Sequence, residues 1–467
     1  MLFNSFNFLI FLSSVIIVFY LLPPKFRWVL LLGASFYFYM YFIPVYILIL
    51  VFLILLDYFC GLWIEKVKRP KLLLSLSLLG NILILAFFKY WQFLNANISD
   101  LLRPFGISSH MPDLGIILPV GLSFHTFQSM SYTIDVYKGR TKAEKHLGYY
   151  ALFVMFFPQL VAGPIERANG LLTQLKTRVS RLDYTRFIHG FSLICRGFFK
   201  KIVVADQLAI YVNSVFDNYF VNHGFTFVFA TWLFAVQIYC DFSGYSDIAI
   251  GSAKLLGYDL MTNFNLPYFS KSVTEFWRRW HISLSSWLRD YLYISIGGSR
   301  KGKFRTYFNL LITMLIGGLW HGASWNFVIW GGLNGAFLAI EKAIGVKVVP
   351  IENKLLKALK VFLTFNLICF TWIFFRATNS DQSAFIIKNI PTDFFSLSIK
   401  DLGVFVNCIF SVAVLIGFEF FVFRKYSFDF LIEKGKLPAL YLINFILIIL
   451  ILLFSVNSGS QFIYFQF

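Results

Sequence analysis

Phe276-Trp-Arg-Arg-Trp-His-Ile-Ser-Leu-Ser-Ser-Trp-Leu-Arg-Asp-Tyr291 is followed by a basic cluster, Arg300, Lys301, Lys303 and Arg305, and then by residues 306–340, which carry no Asp, Glu, Lys or Arg. Each of the two stretches holds a histidine, His281 in the first and His321 in the second. Set at 100° per residue, the first predicts a helix over 274–292 with Arg278, His281, Ser285 and Arg289 inside an arc of about 80°. Phe276, Trp280, Leu284, Trp287 and Tyr291 gather opposite. That pattern describes an amphipathic helix at a membrane interface, and it equally describes a surface anchor whose histidine is merely solvated.

The uncharged interval is more demanding. As one helix, 35 residues would run roughly 52 Å, against a hydrocarbon core of roughly 30 Å. Its flanks are both basic, with Lys342, Lys347, Lys354, Lys357 and Lys360 following, so the spacing predicts a hairpin of two helices with His321 near the apex. An ionisable side chain at membrane depth points to function. Gly317, Gly318 and Gly322 beside it would also serve close helix packing around a core histidine satisfied by a carbonyl or hydroxyl.

Composition agrees with a bilayer setting. The 467 residues are 58% hydrophobic and 14% charged, with a mean hydropathy of +0.71; soluble chains carry about a quarter charged residues. This excludes a soluble globular enzyme and predicts an all-α polytopic membrane protein. The 59 phenylalanines and 11 tryptophans suit lipid-facing and interfacial positions. A net charge of +18 would suggest nucleic acid in a soluble protein. Here the basic residues sit in short loops between apolar runs, the positive-inside pattern, so no nucleic-acid partner is expected. Cys60, Cys195, Cys240, Cys369 and Cys408 are scattered without a Cys-x-x-Cys pair and read as small core residues, not disulfides or metal ligands.

Along the chain, apolar runs at Leu2–Leu22, Trp28–Phe42, Val45–Ile64, Leu72–Trp91, Leu114–Tyr137, Phe225–Cys240, Val361–Phe375, Leu402–Phe423 and Leu437–Phe454 alternate with basic or polar loops. With the dips, about eleven crossings or re-entrant helices are expected, and the first run reads as a retained span, not a signal peptide. Asn95–Asp113 reads as an external loop, and so does the segment holding Asp381 and Lys388. Leu147–Ile165 has basic loops at both ends and is expected to dip in and return, which non-helical backbone survives only when buried. Ile188–Val204 carries Arg196, Lys200 and Lys201 and reads as oblique or interfacial. Asp241-Phe-Ser-Gly-Tyr-Ser-Asp247 reads as a turn whose two carboxylates cap helix ends or position a substrate. A single integral-membrane domain over 1–467 is expected, divided into N-terminal spans 1–146, a core 147–345, and C-terminal spans with an external tail 346–467. Loop charges place both termini outside the cytoplasm.

Several of these stretches carry a resemblance: residues 276–291, Gly-Gly-Leu-Trp-His-Gly-Ala-Ser-Trp at 317–325, Pro158-Gln-Leu-Val-Ala-Gly-Pro-Ile-Glu-Arg167, Gly197-Phe-Phe-Lys-Lys201 and Asp241–Asp247. Together they resemble the membrane-bound O-acyltransferase family, in the bacterial branch that contains alginate and peptidoglycan O-acetyltransferases. The resemblance implies helices around a central tunnel or funnel, a cytosolic acyl donor on one side and an acceptor on the other, and no metal. It places the family's invariant histidine at His321 and its second active-site histidine at His281. The implied activity is transfer of acetyl from a cytosolic thioester, acetyl-CoA, across the membrane for O-acetylation of peptidoglycan or an alginate-like polysaccharide, with an extracytoplasmic SGNH-type or similar partner. D-alanyl transfer to teichoic acid and transport of a lipid-linked sugar are the alternatives.

Imidazole has the pKa of a base that relieves an alcohol of its proton near neutrality, which suits His321. His281 could orient substrate, donate to the thioester oxygen, or line the entrance. Arg278, Arg279, Arg289, Arg300, Lys301 and Arg305 are expected donor-binding groups, since guanidinium and ammonium suit coenzyme A phosphates; ordinary topology signals explain the same charges. Trp320, Trp280, Asn326, Asp241 and Ser243 are expected to line the passage. The terminal Phe-Ile-Tyr-Phe-Gln-Phe offers Tyr464 as an acyl relay or as an aromatic interface anchor.

Overall fold

The structure is a computed structural model describing residues 1–106, 115, 118–161, 163–177, 181–346, 353–423, 428–455 and 462–463. Every regular element among these residues is helical. Among the described residues, six helices are long and apolar enough to cross a bilayer, at 44–64, 70–105, 225–255, 354–376, 402–420 and 437–454, and Phe6–Leu21 is a shorter apolar helix. Two compact units emerge, residues 1–182 with 256–260, and residues 183–255 with 261–467.

The first unit contains α1 (Phe6–Leu21), α2 (Arg27–Met40), α3 (Ile47–Ile64), α4 (Pro70–Leu85), α5 (Trp91–Leu102), α6 (Leu122–Tyr137), α7 (Leu147–Met155) and α8 (Ala168–Lys176). Buried Asp57 on α3 accepts hydrogen bonds from Asn81 Nδ2 of α4 at 2.9 and 3.1 Å, so a carboxylate in an apolar helix keeps polar partners. The expected external loop from Asn95 begins instead as helix, because α5 continues through Leu102. Polar residues there bond back along the helix, as Asn97 does to the Phe93 carbonyl at 2.7 Å. The run from Leu147 opens with a nine-residue helix, α7, followed by a turn in which Phe156, Phe157, Gln159, Leu160 and Val161 are all buried. Gln128 and Gln159 each donate to the Phe153 carbonyl at 2.7 Å, satisfying backbone at the point where the helix stops.

In the second unit, α9 (Tyr184–Phe198) runs into a π-helical stretch, residues 199–205, and then α10 (Asp206–Phe216) and α11 (Phe225–Leu255). The predicted turn at 241–247 lies inside α11, which is unbroken for 31 residues. Its carboxylates lie inside that helix and cap neither of its ends. Asp247 accepts from Arg196 Nε at 2.8 Å and lies 3.1 Å from Lys200 Nζ, while Asp241 lies 2.7 Å from Lys201 Nζ. Lys200 and Lys201 are therefore internal, 4% and 1% exposed, and their charges do not mark an interfacial surface. Breaking one such buried pair by removing a partner costs about 3–5 kcal/mol, because the other charge stays in the core.

Glycines let these two helices meet. A Cβ on Gly197 would lie 2.5 Å from the Gly244 carbonyl oxygen, and one on Gly251 would lie 2.6 Å from that of Gly190. Both pairs are seven residues apart on their helices, two turns along one face. Side-chain-free backbone at these points is what brings the acids of α11 within reach of the bases on 196–201.

The remaining helices are α12 (Val273–Trp277), α13 (Ile282–Trp287), α14 (Lys303–His321), α15 (Trp325–Ala343), α16 (Lys354–Arg376), α17 (Ser380–Asn389), α18 (Leu402–Gly417), α19 (Phe428–Glu433) and α20 (Leu437–Phe454). The segment with Asp381 and Lys388 is thus a helix, α17, capped by the Asn379 side chain on the Gln382 amide at 2.9 Å. The uncharged interval forms the expected hairpin, α14 and α15 joined by 322–324. Gly197→Ala should lower the thermal unfolding midpoint in detergent, at a cost of about 1–3 kcal/mol from overpacking. Gly33→Ala, on a helix position with nothing within 4 Å, should not lower it.

Candidate active site

The single helix expected over 274–292 is interrupted. α12 ends at Trp277, α13 starts at Ile282, and the residue between them that opens α13 is His281, with φ 42° and ψ 56°. A non-glycine residue in the left-handed region is strained and persists only where surroundings hold it. What holds it is the strand-like segment 263–265: the Asn265 amide donates to the Arg279 carbonyl and the Ile282 amide to the Asn263 carbonyl, both at 2.9 Å. The helical arc is consequently dissolved. Arg278 and Arg289 are exposed, whereas His281 is fully buried.

Asn263 also sets the imidazole's proton. Its Nδ2 donates to Ser246 Oγ at 3.2 Å, and its Oδ1 accepts from the Ser283 amide at 3.3 Å and Ser283 Oγ at 2.9 Å. Oδ1 is therefore the atom 3.1 Å from His281 Nδ1, and only an Nδ1–H can donate to it. Burial pushes the His281 pKa down to about 3, so the ring is neutral with its lone pair on Nε2. In this state His281 accepts at Nε2. Donating there to a thioester oxygen would require a second proton that burial opposes.

His321 is the last residue of α14 and 4% exposed. Gly322 follows in extended backbone; a Cβ there would lie 2.0 Å from the Phe327 ring, so the Trp-His-Gly order allows the chain to leave the helix against that ring. Gly318 meets the Phe327 carbonyl and Gly331 the Met314 carbonyl, at 2.2 and 2.4 Å from a built Cβ, which draws α14 and α15 together. The His321 ring centroid lies 5.0 Å from Trp320, 5.0 Å from Trp330 and 5.4 Å from Phe375. Trp320 in turn lies 6.1 Å from His281, so one indole touches both imidazoles. Phe242 of α11 meets His281 edge-on at 4.6 Å.

A cavity of about 500 Å³ opens beside this aromatic cluster. Arg278, Arg289 and Lys342 line it with Ser285, Ser286, Thr313, Met314 and Trp277. Trp277 is 5.6 Å from Trp330, which is 5.0 Å from His321, so two indoles separate the basic cavity from that imidazole. Arg289 is partly neutralised by Asp290 at 2.7 Å. Of the expected donor-binding groups, Arg279 instead pairs with Glu275 at 2.7 Å, and Arg300, Lys301 and Arg305 are exposed away from the cavity wall.

The expected passage residues scatter. Trp320 is shared between the histidines, and Trp280 is buried in a stack with Phe276 at 5.5 Å and Trp372 at 5.2 Å. Asn326 is structural: it donates to the Ala377 carbonyl at 3.0 Å and accepts from Ser383 at 3.2 Å. Ser243 is buried within α11, and Asp241 is held by Lys201. Tyr464 lies outside the described residues. Sequence reasoning missed Asn263, Phe242, Trp330 and Phe375 as groups around the two histidines. Only Lys342 carried a signal, its charge, and that signal was read as topology.

A family model described as MBOAT, membrane-bound O-acyltransferase family, matches residues 142–380. The "Probable alginate O-acetylase" of Azotobacter vinelandii is 42% identical over 386 residues, covering 81% of this chain and 75% of that protein. The "Peptidoglycan O-acetyltransferase" of Helicobacter pylori is 35% identical over 412 residues, 81% of this chain and 76% of that protein. The "Teichoic acid D-alanyltransferase" of Streptococcus thermophilus is 29% identical over 288 residues, 56% of this chain and 69% of that protein. With a family model over half of its length and long matches of this identity, the chain belongs to the membrane-bound O-acyltransferase family.

Proposed function

We propose that this membrane acyltransferase moves acetyl from cytosolic acetyl-CoA across a bacterial inner membrane for O-acetylation of an envelope polysaccharide, peptidoglycan or an alginate-like polymer. The observation that carries the reading is His321, an imidazole enclosed by Trp320, Trp330 and Phe375 two indoles from a basic cavity. The names of the alginate and peptidoglycan relatives support acetyl over D-alanyl, whose named relative matches a smaller share of the chain at lower identity.

In this reading the acceptor hydroxyl gives its proton to His321 as its oxygen attacks the thioester carbonyl. The C–S bond then breaks, the thiolate of coenzyme A takes the proton from the imidazolium, and an ester and a free thiol result. His281, neutral and accepting at Nε2, orients a hydroxyl or amide of the substrate. Arg278, Arg289 and Lys342 receive the donor's phosphates, for which fixed cations at a cavity rim are suited. In this reading the acceptor hydroxyl is the phenol of Tyr464, and its acetyl ester then acylates a hydroxyl of an extracytoplasmic transferase, which gives up its proton as the free phenol is released. Both chain termini lie on that outer side.

His321→Ala should abolish ester-linked acetate in isolated envelope polysaccharide while the protein persists in the membrane; unchanged acetate would defeat the reading. Arg289→Gln with Lys342→Gln should raise the KM for acetyl-CoA about tenfold or more and leave that for acetyl-pantetheine, which lacks the nucleotide phosphates, nearly unchanged. Tyr464→Phe keeps an aromatic anchor and removes the nucleophile, so acetylation should be lost; normal acetylation in that variant ends the relay.

A further inference from the structure

Asp241 has one more partner than an ion pair requires. Lys201 Nζ lies 2.7 Å from its Oδ1 and is shared with Asp206 at 2.8 Å. The other oxygen, Oδ2, accepts the backbone N–H of Ile463 at 2.7 Å, from a segment 222 positions away in sequence. Phe462 and Ile463 are 0% and 5% exposed. The Phe462 ring lies 4.4 Å from Tyr245 and 5.7 Å from Phe242, and Phe242 is the ring that meets His281 at 4.6 Å.

A buried carboxylate needs more than one donor to offset its lost hydration, and Lys201 is divided between two acids. The Ile463 amide fills that requirement, and a segment brought into a core must likewise satisfy its own N–H. Each therefore fixes the other. The apolar ring beside that hydrogen bond then packs against Phe242, the ring that also meets His281.

We propose that Asp241 is a positioning residue: it latches Phe462–Ile463 into the second unit, and Phe462 wedges Phe242 against His281. The inference rests on the acyl-transfer reading of the two histidines and deepens it. Without the latch, Phe242 loses its backing and the imidazole its edge contact, although Asn263 remains.

Hydrogen–deuterium exchange of the purified full chain tests the latch without any assay of chemistry. The peptide containing Phe462 and Ile463 should retain a slowly exchanging amide in the wild type, and Asp241→Asn should speed its exchange at least tenfold. Fast exchange in the wild type overturns the latch, and this measurement needs no variant to fold. Ile463→Pro removes the donated N–H and leaves the Asp241–Lys201 pair in place, while Ile463→Val keeps the N–H. At equal membrane abundance, the proline variant should lose polysaccharide acetylation at least tenfold and the valine variant should match the wild type. Equal acetylation in both overturns the positioning role. If the wild type itself leaves no ester-linked acetate, the acetyl reading fails and the exchange result still decides the latch.

Discussion

Arg196 and Lys200 on Asp247, and Lys201 on Asp241 and Asp206, hold α9 and its π-helical continuation against α11, with both lysines and all three acids buried. A chain that is 58% hydrophobic can keep such charges inside only by pairing them, and the pairing fixes helix register more tightly than apolar contact would. Gly190, Gly197, Gly244 and Gly251 make the approach possible. With α11 so placed, Phe242 stands beside His281 and Ser246 reaches Asn263. The imidazole's position is thus inherited from an ionic contact on the other side of the same helix.

The two histidines are set by opposite devices. His321 ends a helix and is enclosed by rings, with glycines clearing the space for α15; its surroundings are apolar and indole-rich. His281 sits in a helix break with strained backbone, and a carboxamide 18 residues earlier fixes its tautomer. Trp320 joins them. An enclosure of this kind strengthens any polar interaction made inside it and keeps water from competing with an alcohol for the acyl group.

The hairpin at 303–343 was legible because the absence of charge between Arg305 and Glu341 is a length constraint, and length is what a bilayer reads. Residues 274–292 misled because an amphipathic arc is a local property, whereas the break at His281 comes from pairing with Asn263 and Asn265. At 241–247, Asp, Ser and Gly looked like turn chemistry; in place they are buried helix whose acids answer bases near residue 200. Asn263 had no motif to announce it, since its role depends on a fold that brings Ser246, His281 and Ser283 to one amide.

The most direct test reconstitutes the purified chain in sealed vesicles with acetyl-CoA supplied to one face at a time, and follows release of the coenzyme A thiol. The account predicts thioester cleavage only from the face that carries Arg278, Arg289 and Lys342, slowed about a hundredfold or more by His321→Ala, the scale of a lost general base. Cleavage at the wild-type rate by the His321→Ala protein, or equally from both faces, would contradict it.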